Sequence, residues 1–183
     1  MKKILVIGNC PLPDEKVSSR PAAGLRTNQF WKAIKSGGFE TALVKIAMPE
    51  CYTDEVREKL VANEELVISK DNPNLTREIQ KFHDVFDPDA IVAVNNFPAY
   101  ICSKLGTRAP IWADLNGWIM AEAQAQAFKK EQNDYLAHYF DIEKNVLKIG
   151  DKFSTVSENQ KFAVLGELAF LGSVLSILDP SDP

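Results

Sequence analysis

Short apolar runs alternating with helix-patterned stretches constrain this chain more than any other feature. Lys3 to Gly8 (KILVIG) is a continuous run ending in Gly, as expected of a central parallel strand buried on both faces. Similar runs recur at Thr41–Ile46, Glu65–Ser69, Ala90–Val94, Pro110–Ala113 and Phe153–Val156. Between them, apolar residues repeat at helical spacing. Crossovers of this kind require parallel neighbours, with helices packed above and below them. The expected class is α/β: a doubly wound, Rossmann-like, mostly parallel sheet of about six strands with helices on both faces.

The helices carry local signals of their own. Ala23, Thr27, Phe30 and Ile34 form one stripe, stopped by Gly37-Gly38. Thr53 or Asp54 could cap a second helix carrying Val56, Leu60 and Val61. Asn72 reads as the cap of the next, with Pro73 at its first position and Asp87-Pro88 at its end. A short helix is expected over Pro98–Leu105, and longer ones over Ile119–Lys130 and from Tyr135 to Ile149. Ser157 with Gln160 makes a capping box for a last helix, whose expected buried stripe is Phe162, Leu165 and Ala169.

Size and charge narrow the functional classes. The 183 residues suit one large domain, expected over 1–172, with 173–183 as a tail or the start of an interdomain linker. The net charge is −4 with no basic block, which argues against nucleic acid as a partner. Cys10, Cys51 and Cys102 are far apart in sequence and read as three buried small hydrophobes rather than a disulfide framework or a zinc site. No segment approaches the roughly 20 apolar residues of a membrane span, and the first apolar run is too short for a signal peptide. The expected location is cytoplasmic, with peripheral attachment at the inner face of the membrane left open.

In open parallel sheets, ligands bind beyond the carboxyl ends of the strands, where strand order reverses. That rule selects Asn9 and the loop to Arg20, Gly24 and Arg26; then Asn95 and Asn96; then Asp114, Asn116, Gly117 and Trp118; then Ser157 and Glu158. All can hydrogen-bond hydroxyls or phosphates, and Trp118 could stack on a sugar ring. Each also has a plainer role: Asp114 to Gly117 is a good turn, and Ser157 a helix cap. No dinucleotide fingerprint, phosphate loop, nucleophile elbow or zinc motif is present in the sequence.

Four segments together resemble one family. KKILVIGN, PDAIVAVNN, PIWADLNGW and FSTVSENQKFAVLGEL are similar, in order and spacing, to strand and loop segments of the N-terminal domain of GT-B-fold glycosyltransferases of the family 4 type. The resemblance covers residues 1–172. It implies an acceptor-side domain facing a second, nucleotide-sugar-binding domain across a cleft, with that second domain absent from this sequence. It further implies metal-independent transfer without a cofactor, from a nucleotide-sugar donor to a glycan or lipid-linked acceptor. Arg20, Gly24 and Arg26 would then line the phosphate side, and Asn95, Asn96, Asp114 and Asn116 would meet sugar hydroxyls. Family members often carry His in the loops where Asn95-Asn96 and Asp114 stand here. For an inverting reaction Asp114 would be the general base. A non-catalytic binding module and one subunit of a split transferase, completed by a partner, stand as alternatives.

Overall fold

The computed structural model describes residues 1–19, 21–62 and 64–172. Seven strands make one sheet: β1 (Lys3–Cys10), β2 (Glu40–Ala47), β3 (Lys59–Val61), β4 (Glu65–Ser69), β5 (Ala90–Val94), β6 (Ile111–Leu115) and β7 (Lys152–Thr155). Their order is β3-β4-β2-β1-β5-β6-β7, parallel throughout except for the antiparallel β3–β4 pair. The helices are α1 (Ala22–Ser36), α2 (Leu75–Phe86), α3 (Asn96–Cys102), α4 (Ile119–Lys130), α5 (Asp134–Ile149) and α6 (Glu158–Phe170). The doubly wound α/β class is as expected.

Side chains alternate across the sheet with the period of two that a pleated strand imposes. Leu5, Ile7, Val44, Ile46, Ile91 and Ala93 face the larger core, together with residues of α2, α3, α5 and α6. Val6, Leu43, Val92 and Val94 face the smaller core, which Trp31 of α1 and Leu12 of the β1–α1 loop complete. Burying each large aliphatic side chain contributes about 1.5–3 kcal/mol, so the two cores together outweigh any single polar contact. The β1–α1 packing is close: a Cβ on Gly24 would lie 1.8 Å from the Pro11 carbonyl oxygen. That approach turns α1 toward the loop. Its buried residues are accordingly Gly24, Thr27 and Trp31, with Phe30 and Ile34 only half-buried.

Three local expectations are corrected. The stretch after Thr53 is irregular rather than helical, and Lys59–Val61 forms the seventh strand. A helix with three apolar residues and no second turn of burial would be marginal, whereas pairing with β4 satisfies a sheet edge. α2 begins at Leu75, because Asn72 Oδ1 accepts from the Asn74 amide (2.8 Å) in a turn that precedes the helix. In α6 the buried residues are Gln160, Val164 and Leu168, while Phe162 is exposed. Gln160 sets that face: its Nε2 donates to the Leu115 carbonyl (2.9 Å) and its Oε1 accepts from the Val156 amide (3.0 Å). Ser157 caps the helix as expected, accepting from the Gln160 amide.

Cys10, Cys51 and Cys102 are buried and free. Burial pushes the Cys10 and Cys102 thiols up to about 12, so neither is a thiolate at neutral pH. No helix among the described residues is long and apolar enough to cross a membrane. The expected tail, 173–183, lies outside the described residues.

Candidate functional site

The order of strands reverses between β1 and β5, since the chain winds outward through β2 on one side and through β6 on the other. A cleft of about 330 Å³ opens at the carboxyl ends there. Four strands deliver polar side chains into it: Asn9 from the end of β1, Lys70 after β4, Asn95 and Asn96 after β5, and Asn116 after β6. Glu122 of α4 and Tyr139 of α5 close the far wall.

Asn95 is the most constrained of these residues. Its backbone has φ 78° and ψ 160°, a region that is close to glycine-only and costs on the order of 1–3 kcal/mol for any other residue. Its side chain is buried, and its Nδ2 donates to Asn9 Oδ1 (3.2 Å) and to the Ala23 carbonyl (3.2 Å). Among the described residues its Oδ1 has no partner, nor has that of buried Asn96. A buried acceptor without a donor costs about 1–3 kcal/mol, so two of them side by side mark a surface built to receive donors.

Asp114 is elsewhere. Alternation along β6 turns it to the opposite sheet face from Ala113 and Leu115, where it is fully buried. Arg26 Nε donates to its Oδ2 at 2.5 Å and Nη2 to its Oδ1 at 2.6 Å, and Ser154 Oγ donates to Oδ1 at 2.6 Å. Trp112 Nε1 donates to Ser154 Oγ, and the Arg26 guanidinium lies 5.5 Å from the Phe30 ring centre. The Asp114 carboxylate holds the Arg26 guanidinium above its ordinary pKa range by hydrogen bonding and charge. Both Asp114 oxygens are thus engaged within the protein, and a base role requires this pair to open.

The other candidates spread out. Gly24 is packed against the Pro11 carbonyl. Gly117 takes φ +102° and leaves room for Glu122, whose Oε1 would lie 2.8 Å from a Cβ there. Trp118 turns toward α6 and donates from Nε1 to Glu167 Oε1 (2.9 Å). Ser157 and Glu158 are exposed at the start of α6. Arg20 lies outside the described residues. The cleft therefore unites Asn95, Asn96 and Asn116 from among the candidates and adds Lys70, Glu122 and Tyr139. Lys70 directly follows a strand, which is a readable signal; Glu122 and Tyr139 lie within helices and gave none.

No family model matches this sequence, and no curated protein matches it. By structure the chain is similar to sucrose-phosphate synthase from Thermosynechococcus elongatus, with a TM-score of 0.64 and 14% identity, covering 91% of this chain and 45% of that one. The chain thus spans less than half of that protein. At this identity the likeness establishes the fold alone, a Rossmann-like α/β domain.

Proposed function

We propose that the chain is the acceptor-side half of a glycosyltransferase and that the β1/β5 cleft receives a hydroxyl-rich ligand. The observation that carries this reading is the pair of buried, unpartnered amide oxygens of Asn95 and Asn96 at the switch point. Sugar hydroxyls are donors of the right kind for them. Each such bond would relieve a desolvated acceptor as well as gain a contact. The solved structure the chain is similar to is, by its name, a synthase of sucrose phosphate, which fits the same chemistry.

Roles divide by geometry. Asn9 holds Asn95 in place through its Oδ1, leaving the Asn95 Oδ1 free for a ligand. Asn116 lines the same cleft, and Lys70 brings a positive charge for an anionic substituent. Glu122 is the carboxylate that borders the cleft, so it is placed to take the proton of an attacking hydroxyl. Asp114 is a positioning residue: it fixes Arg26 and so anchors α1 against β6. Donor binding belongs to a second domain or partner subunit, with the nucleotide-sugar as substrate and no metal needed.

The test is made on the protein isolated from its source cells. Incubation with a panel of nucleotide-sugars and glycan acceptors is expected to release nucleoside diphosphate only when an acceptor is present. Glu122→Gln should lower that turnover at least about tenfold, a transition-state loss of roughly 1.4 kcal/mol. Undetectable release would favour the binding-module reading, and release that does not depend on an acceptor would mean hydrolysis rather than transfer.

A further inference from the structure

A second cavity lies away from the strand ends, between α5 and α6. It measures about 250 Å³, opens to solvent, and is walled by Met120, Phe140, Leu147, Phe170 and Leu171. Two carboxyl groups stand in this apolar groove, Glu143 of α5 and Glu167 of α6. Glu143 is only 3% exposed, and among the described residues its Oε2 and Glu167 Oε2 meet no donor from any other group, so the two carboxyls hydrogen-bond only each other, through a shared proton. Trp118 Nε1 donates to Glu167 Oε1, which fixes that carboxylate beside Glu143. Lys144 also lines the groove, yet neither Oε2 accepts from it.

Two neighbouring acids in an apolar wall are unfavourable unless a proton or a cation joins them. Burial and the charge of Glu167 push the Glu143 carboxyl up to about 8, so at neutral pH a proton bridges the pair when nothing else does. A proton alone does not account for the open space above the pair. Gly166, in the middle of α6, faces that space, and a Cβ there would meet nothing within 4 Å. An interior helical glycine costs about 0.5–1 kcal/mol relative to alanine, so keeping it preserves the groove at some expense in stability.

We propose that this groove binds a primary alkylammonium ion. The ammonium sits between Glu143 Oε2 and Glu167 Oε2, and the alkyl stem runs along Met120, Phe140, Leu147 and Phe170. The cation takes the place of the shared proton, supplies donors to both oxygens and leaves the pair with the same single negative charge, while the stem covers apolar surface. The site is separate from the cleft: neighbouring residues diverge, with Ile119 and Tyr139 facing the cleft, and Met120 and Phe140 the groove.

The probe is n-hexylammonium chloride, titrated calorimetrically into the protein at pH 7 beside n-hexanol and hexanoate. Saturable one-to-one binding is expected for the ammonium, at least about tenfold tighter than for the alcohol, and none for the carboxylate. The Trp118 indole N–H resonance should shift on binding, since its acceptor is part of the site. Glu143→Gln should weaken binding at least about tenfold. Gly166→Leu puts bulk into that space from a position where the Cβ would meet nothing within 4 Å, so it should keep the melting temperature and abolish binding. It decides the matter should Glu143→Gln fail to fold. Equal binding of hexanol and hexylammonium, retained binding in Gly166→Leu, or no saturation by about 10 mM would each overturn the proposal.

Discussion

Arg26 on α1 grips Asp114 on β6 through two parallel hydrogen bonds, at 2.5 and 2.6 Å, across 88 positions of sequence. The pair ties the one described helix of the smaller core to a strand beyond the switch point. Ser154 adds a third donor from β7, so the network spans three elements. Removing one member leaves its partner without a match in a largely desolvated place. Asp114→Ala is therefore expected to cost about 2–4 kcal/mol in urea unfolding, toward the lower end of buried pairs because Arg26 is partly exposed. A loss below about 0.5 kcal/mol would mean that the pair is not formed in solution. Lost turnover in such a variant would not by itself mark Asp114 as a base, since a lost anchor has the same effect.

Asn95 offers a contrast between strain and side chain. Asn95→Gly relieves the unfavourable φ of 78° while deleting two hydrogen bonds; Asn95→Ala deletes the bonds and keeps the strain. The alanine variant should be the less stable by about 1 kcal/mol or more in denaturant titrations, and both should lose ligand binding. Equal stability of the two would place the Asn95 backbone elsewhere in solution.

Glycines separate packing from propensity. Gly24→Ala would press a methyl carbon to 1.8 Å from the Pro11 carbonyl, and backbone on both sides leaves little room to yield. A loss of about 2 kcal/mol or more is expected by thermal unfolding. Gly166→Ala, in open space on α6, should instead gain about 0.5–1 kcal/mol.

Stability should also depend on pH through Glu143. Its carboxyl moves from an ordinary 4.5 to about 8 on folding, because of burial first and the Glu167 charge second. The folded state then holds a proton that the unfolded chain releases. Its contribution is complete below about pH 4.5 and is lost as pH rises through 8, with a slope of up to about 1.4 kcal/mol per pH unit. Unfolding titrations from pH 5 to 8 should show this decline, and Glu143→Gln should flatten it. The same slope in the variant would assign it to other groups.

The sheet was legible because buried parallel strands are written as continuous apolar runs: all six expected strands are found, five of them interior to the sheet. β3 was not, since its three residues are exposed on a sheet edge and their spacing also fits a helix. The polar strand ends at Asn95, Asn96 and Asn116 followed from the rule about carboxyl ends. The separation of Asp114 from them did not: it depends on which face β6 presents, and Arg26 claims that face from 88 residues away. The α6 face was misjudged because Gln160, a polar residue, is the one that anchors it. The Glu143–Glu167 pair left no sequence signal, as each acid reads as an ordinary solvated helix position.

The central claim is that the β1/β5 cleft holds a hydroxyl-rich ligand on Asn95 and Asn96. Its most direct test is a nitrogen–proton correlation spectrum of the protein, titrated with a panel of mono- and disaccharides and their phosphates. The account predicts that at least one of them shifts the side-chain amides of Asn95, Asn96 and Asn116 saturably, and that Asn96→Ala removes the effect. A panel that leaves all three amides unmoved, or that moves those of Asn95 and Asn116 equally in Asn96→Ala, would contradict it.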